Sequence, residues 1–321
     1  MPVITPSAYS SPLLLPGGHL QSILPVFRKV CGVRYARERI HTPDDDFLDL
    51  DWAKTGSRKI AILSHGLEGN TQRHYILGMI LALHRRGWDA LAWNYRGCSG
   101  EPNKKLRSYH SGETADLHTV ISHVIARNDY SEIALIGFSL GGNITLKYLG
   151  EQNSNIHPLV SKAIAFSVPC DLKSGALKLA QISNLIYMKM FLRSMHEKIR
   201  AKMRILPGEI NDDGFDRIRT FHEFDNRYTA PIHGFKDAND YFAKCSSRQF
   251  IPAIRVPTLL VNARNDPFLA EQCFPYEEAA ANPNFFFEAP ESGGHTGFLA
   301  WNRAGEYWSE TRTLAFLSDE I

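Results

Sequence analysis

Short apolar runs along the chain alternate with segments whose apolar positions recur at helical spacing. That alternation predicts strand–helix units on a mostly parallel sheet, with helices on both faces. Lys59–Ser64 (KIAILS), Trp88–Trp93 (WDALAW), Glu132–Gly137 (EIALIG) and Ala163–Val168 read as short buried strands. Helices are predicted over His74–Arg86, where Gly87 stops the periodicity, over Gly112–Asn128 and over Leu140–Gly150. Two earlier strands are expected near Val33–His41 and Phe47–Trp52, and the Pro- and Gly-rich first forty residues are expected to wrap the surface. The rhythm then breaks. Residues from about 170 to 235 carry long helical periodicity, as in LKLAQISNLIYMKMFLRSMHEKI, and then irregular polar sequence. It resumes with Val256–Asn262, a helix across Glu271–Ala281, a strand at Asn284–Glu288 and a helix near Ala304–Leu317. One α/β domain over residues 1–321 is expected, with a lid-type insertion at about 170–235.

Composition narrows the class. With 321 residues and 44% apolar side chains, the chain can bury a sizeable core. The 36 basic and 34 acidic residues leave a formal charge of +2, which offers no electrostatic footprint for nucleic acid. Five cysteines, none at CxxC spacing, speak against a disulfide framework or a zinc site and for a reducing compartment. The N-terminal stretch has no basic n-region, and its apolar run covers only Leu13–Leu15, so it is not read as a secretory signal. No stretch of about 20 apolar residues is present to span a bilayer. A cytoplasmic protein without a transmembrane segment is expected.

The chemistry begins at Gly137-Phe138-Ser139-Leu140-Gly141, a G-x-S-x-G pattern. A strand runs into it and a helix runs out of it, the context in which such a serine is held on a tight turn with a helix N-terminus behind it. Ser139 is therefore the candidate nucleophile. Acyl transfer at a serine needs two N–H donors for the oxyanion. Leu140, the residue after the serine, supplies one. Leu67, in His65-Gly66-Leu67-Glu68-Gly69-Asn70 after the third strand, is expected to supply the other. His65 reads as a structural residue of that loop.

A serine hydroxyl also needs a base, and the base needs a carboxylate to fix its tautomer. On this topology the order is serine, acid, histidine. Of thirteen histidines, only His295 lies beyond the last predicted strand, in the Gly-rich loop Ser292–Gly297. Asp266 follows the strand Val256–Asn262 and is the candidate acid. Asp225, Asp237 and Asp240 are weaker rivals in or near the insertion. Cys98 reads as a buried thiol, Ser111 as a helix cap, and Asp44-Asp45-Asp46 as a solvated turn without the pattern of a calcium loop. No metal or cofactor is required.

These motifs together resemble the YheT-like, or AB-hydrolase 1/3-type, branch of the α/β-hydrolases. The carrying stretches are Gly17–Gln21, His65–Asn70, Asn94–Glu101, Tyr109–Thr114, Gly137–Asn143, Thr229–Phe235, Asn265–Phe268 and Gly293–His295. The resemblance implies the α/β-hydrolase fold and a triad of Ser139, Asp266 and His295. It also implies carboxylic ester hydrolysis, on short-to-medium acyl esters or glycerolipids, or acyl transfer to an alcohol with the same residues. A small-molecule ester or lipid-like substrate is thus expected. A catalytically silent binding protein on this fold is the reading from another class, and the intact triad argues against it. Leu177, Ile182, Leu185, Ile186, Met190 and Met195 form an apolar set interleaved with Lys and Arg. A lid over an acyl pocket is the preferred reading of that set, and transient membrane contact is the other.

Overall fold

The apolar runs pair into a nine-stranded sheet: β1 (Val3–Ile4), β2 (Ala36–His41), β3 (Phe47–Ala53), β4 (Lys59–Ser64), β5 (Asp89–Asn94), β6 (Glu132–Phe138), β7 (Val160–Phe166), β8 (Thr258–Val261) and β9 (Phe285–Glu288). The computed structural model describes residues 2–12, 15, 17–302 and 305–320. Strand order is β1-β9-β8-β7-β6-β4-β5-β3-β2. β2 and β3 run antiparallel to their neighbours, and the remaining pairs are parallel. The helices are α1 (Gly18–Ile23), α2 (His74–Arg85), α3 (Thr114–Ala126), α4 (Leu140–Gln152), α5 (Leu172–Leu179), α6 (Leu185–Ile205), α7 (Phe221–Phe224), α8 (Ala230–His233), α9 (Ala238–Cys245), α10 (Tyr276–Ala281) and α11 (Trp308–Leu317).

The period of two along each strand splits the core into two layers. Ile60 and Ile62 of β4 join Ile133 and Leu135 of β6 on the face covered by α3 and α4. Ala61 and Leu63 join Ala134, Ile136 and Phe138 on the face covered by α2 and α11. Both faces are buried, which is why these strands read as continuous apolar runs. A third cluster, built on Met188, Leu192, Ile199, Phe215 and Phe224, forms between β7 and β8.

Several expectations shift. The first forty residues hold two elements as well as loop. β1 pairs with β9 at the sheet edge, Val3 opposite Phe287, and α1 packs near the C-terminal loops. Leu13 and Leu14 of the short apolar run lie outside the described residues, as does Ala304, the predicted start of the last helix, which begins at Trp308. The helix predicted across Glu271–Ala281 divides into a 3-10 turn (Glu271–Cys273) and α10. Pro275 lacks the N–H that would carry one through to the other. Helical structure between β7 and β8 continues past residue 235, through α9 and a 3-10 segment ending at Ala253.

The turn Asp44–Asp46 is solvated only in part: Asp45 is exposed, while the other two are held by the protein. Asp46 is fully buried; it accepts N–H groups of Phe47, Lys104 and Lys105 and the Asn103 amide. Asp44 pairs with the buried guanidinium of Arg96, which holds its carboxyl down at about 2. Ser111 does not cap α3, whose N-cap residue is Glu113. Its N–H donates to the Tyr241 hydroxyl, and its carbonyl accepts from Asn143, so the turn is tied to α9 and α4 instead.

Candidate active site

β6 ends at Phe138, Ser139 makes the turn, and α4 begins at Leu140. Ser139 takes φ 54° and ψ −119°, a backbone conformation that L-residues rarely hold. The turn closes only because its flanks are glycine. A Cβ on Gly137 would stand 2.6 Å from the Gly141 carbonyl oxygen, and one on Gly141 would stand 2.3 Å from that of Ser64. The hydroxyl therefore projects from the C-terminal edge of the sheet, half-buried.

His295 reaches it from the loop after β9. Its Nε2 lies 2.9 Å from Ser139 Oγ, and its Nδ1 lies 2.8 Å from Asp266 Oδ2. A carboxylate can only accept, so Nδ1 carries the proton. In the neutral ring Nε2 is then bare and accepts from the Ser139 hydroxyl. The second oxygen of Asp266 accepts the Phe268 N–H at 2.9 Å, and the side chain is fully buried. The three residues picked out by order in the chain are thus hydrogen-bonded in series. The rival carboxylates have other partners: Asp237 caps α9, Asp240 pairs with Lys244, and Asp225 accepts from Thr229.

Sequence reasoning missed the groups that hold His295 in place. Buried Gln21 of α1 accepts the Gly293 N–H at 2.7 Å and the Asn265 amide at 3.0 Å through one oxygen. Ser22 Oγ accepts the His295 N–H at 2.8 Å, and Ser167 Oγ accepts that of Thr296 at 2.8 Å. Gly294, at φ 63°, lies so close to α1 that a Cβ would stand 2.8 Å from Gln21. The stretch Gly17–Gln21 stood out as a motif but had no visible partner in sequence.

Leu67 and Leu140 flank the serine. Among the described residues neither N–H has a hydrogen-bond acceptor. Gly66 lets this loop approach: a Cβ there would stand 3.3 Å from that of Ser139. His65 is structural, as expected. Its Nδ1 lies 2.8 Å from the Gly66 oxygen, and burial drives its pKa down to about 3. Glu68, at φ 53°, fixes the turn from the other side. Its carboxylate accepts from Tyr109 (2.5 Å), from Ser194 of α6 (2.5 Å) and from Lys198 of α6 (2.9 Å). Lys198 also reaches the sulfur of buried Cys98 at 2.9 Å, and desolvation pushes that thiol up. Cys98 is therefore close to the site but packed away beneath α6.

Ser139 and His295 open into a cavity of about 390 Å³. Its walls are mainly apolar, with Leu172 and Leu179 of α5, Phe191 and Met195 of α6, and Phe242 and Phe268 among them. Asp225 also lines it. Burial raises this carboxyl from 3.8 to about 7. A raised folded-state pKa means that stability is greatest below 3.8 and is lost as pH rises toward 7. Asp225→Asn is therefore expected to melt higher than the parent at pH 8, and at the same temperature near pH 4. The full difference is of order 4 kcal/mol. Melting curves at the two pH values check this; an equal difference at both would refute the burial argument.

His110, Glu113 and His233 bring three possible ligand atoms within 4.8 Å of one another. The His110 Nδ1 accepts the Gly112 N–H at 3.1 Å, which leaves the neutral ring's proton on Nε2, 3.5 Å from Glu113 Oε2. Arg107 covers the same carboxylate oxygen at 2.6 Å. A metal would have to displace that proton beside a guanidinium. Arg107 thus already holds the Glu113 carboxylate, while the buried His233 Nε2 has no hydrogen-bond partner among the described residues.

Known proteins share this arrangement of sequence and fold. The profile described as alpha/beta hydrolase fold matches residues 62–300. The Escherichia coli protein YheT, which carries an esterase assignment, is 33% identical over 308 residues, covering 94% of this chain and 90% of YheT. Phospholipase ABHD3 of Homo sapiens is 28% identical over 318 residues, 95% of this chain and 77% of that one. Monoacylglycerol lipase of Saccharomyces cerevisiae is 29% identical over 310 residues, 92% of this chain and 66% of that one. Among solved structures, the Pyrococcus furiosus esterase Pf2001 superimposes with a TM-score of 0.60 at 20% identity, covering 89% and 91% of the two chains. No helix of the described residues is long and apolar enough to cross a membrane. With three quarters of its length inside that profile and YheT matched over most of both chains, the protein belongs to the alpha/beta hydrolase fold family.

Proposed function

We propose that the protein hydrolyses carboxylic esters of short-to-medium acyl chains through Ser139, His295 and Asp266. The observation that carries this reading is the pair of contacts at 2.9 and 2.8 Å that joins the three side chains at the floor of an apolar cavity. Ser139 Oγ attacks the ester carbonyl carbon as His295 Nε2 takes its proton. The carbonyl oxygen becomes an oxyanion held by the N–H groups of Leu67 and Leu140. Collapse breaks the bond to the leaving alkoxide, which receives the proton from His295, and leaves an acyl ester on Ser139. Water, deprotonated by the same imidazole, attacks that ester; the acid departs and Ser139 regains its hydrogen.

The volume supports the substrate size. A cavity of about 390 Å³ is near the lower end of ligand pockets, which run from roughly 300 to 1,000 Å³. It suits one acyl chain of modest length. The names of two relatives point the same way, since an esterase and a monoacylglycerol lipase break carboxylic ester bonds, and the phospholipase points to lipid substrates. In this reading α5 to α8 form a lid, with α5 and α6 facing the acyl chain on their inner side. All five cysteines are free, which supports a reducing compartment, and we place the protein in the cytoplasm.

A fluorophosphonate probe and a p-nitrophenyl ester series test the proposal together. One adduct is expected, on Ser139, with a turnover optimum at short or medium chains. Labelling at another residue, or none in folded protein, would remove the mechanism.

A further inference from the structure

The helices around the cavity present apolar side chains outward as well as inward. Ile182, Ile186 and Met190 follow one another at four-residue spacing and are 88%, 74% and 65% exposed. That spacing puts Ile186 and Met190 on one face of α6, with Ile182 in the 3-10 turn just before it. Another part of α6 lines the cavity through Phe191 and Met195, beside Ala176 and Leu179 of α5. A second exposed apolar strip, Ile23, Val26 and Phe27, follows α1. The two strips meet where His19 stacks on Tyr187, ring centres 5.7 Å apart, with a ring nitrogen 3.2 Å from the tyrosine oxygen. Because α1 also holds the His295 loop through Ser22, this surface borders the catalytic edge of the cavity. Monomeric proteins rarely leave large apolar patches of this kind beside a site without use for them.

The stretches of sequence that carry the two strips contain cations and no carboxylate. No Asp or Glu occurs before Glu38 or between Asp171 and Glu197. Arg28 and Arg193 are paired with Glu310 and Glu197. Arg37 is paired with Asp51, which leaves Lys29, Arg34, Lys173, Lys178 and Lys189 as the cations of the two stretches with no ion pair among the described residues. The whole chain is nearly balanced, 36 basic against 34 acidic, so the bias is local. Exposed aliphatic and aromatic side chains edged by lysines fit the boundary between lipid headgroups and acyl chains. A second copy of this chain fits less well: a twofold interface would bring like lysine-edged patches together.

We propose that this face docks on an anionic lipid surface, bringing the cavity mouth to the acyl chains. The proposal rests on the ester-hydrolase reading only for its purpose; the binding can be measured without catalysis. The full chain is floated with vesicles of non-hydrolysable ether-linked phosphatidylglycerol and phosphatidylcholine, and with phosphatidylcholine alone. Binding is expected to the anionic vesicles, to weaken at about 0.5 M salt as the lysines are screened, and to fall about tenfold or more in Ile186→Glu/Met190→Glu. That variant is expected to turn over p-nitrophenyl acetate like the parent. Lys178→Glu/Lys189→Glu is the independent variant, expected to lose the preference for anionic vesicles. It decides the matter alone if the first variant proves misfolded by its melt. Parent protein that does not float, or variants that bind as the parent does, would overturn the proposal. So would a parent dimer that Ile186→Glu/Met190→Glu turns into monomer, which would put a second copy on this face. Parent protein that floats but leaves soluble esters intact would instead overturn the hydrolase reading alone.

Discussion

Ser139→Ala is expected to lower kcat on a p-nitrophenyl ester by about 10⁶-fold, or roughly 8 kcal/mol of barrier. The loss is that large because the remaining triad has nothing to act on. His295 Nδ1 and Asp266 would still be hydrogen-bonded, but no hydroxyl would stand 2.9 Å from Nε2. Residual rate would come only from the Leu67 and Leu140 N–H groups and from binding, together worth about 10³ to 10⁴ over water in comparable sites. The fold should be indifferent to the change. Alanine keeps a Cβ, so the strain at φ 54° is neither relieved nor increased, and only one hydrogen bond is lost. The check is a paired measurement of kcat and melting temperature. Activity within tenfold of the parent at an unchanged melting temperature would exclude Ser139 as the nucleophile.

What could be read from the chain and what could not separate along a physical line. β4 and β6 were legible because both their faces are covered, so Ile60–Leu63 and Ile133–Ile136 are unbroken apolar runs that stand out from their neighbours. Ser139, Asp266 and His295 were legible because the order of strand ends along the chain limits which residues can meet at one sheet edge. Gln21 was not. Its partners, Gly293 and Asn265, lie 272 and 244 residues away, and a buried glutamine serving two loops leaves no local pattern. Asp46 was misread for the same reason. Three consecutive aspartates look solvated in sequence, while the groups that satisfy this one come from residues 103–105. Local rules see periodicity and turns. They do not see a polar side chain buried against a distant loop.

That distinction bears on the acid of the triad, where a change of one atom tests the arrangement. Asp266→Asn keeps size and shape, yet kcat is expected to fall about 10⁴-fold. The orientation of the new amide is fixed by a neighbour. The Phe268 N–H donates to Asp266 Oδ1 at 2.9 Å, so the amide oxygen must take that place. The NH₂ then occupies the position of Oδ2, 2.8 Å from His295 Nδ1. Two donors cannot face each other, so the imidazole proton moves to Nε2. A protonated Nε2 cannot accept from Ser139, and the serine loses its base although the ring has hardly moved. The rate of fluorophosphonate labelling should fall by a similar factor, because that reaction uses the same proton transfer. Adding Asp266→Asn to Ser139→Ala should cost almost nothing further, since the two act through one hydrogen-bonded unit. Folding is checked by melting, with little change expected from a substitution that retains both hydrogen bonds. If Asp266→Asn labelled and turned over at near-parental rates, Asp266 would not be setting the tautomer of His295, and the series Asp266–His295–Ser139 would be a structural contact only.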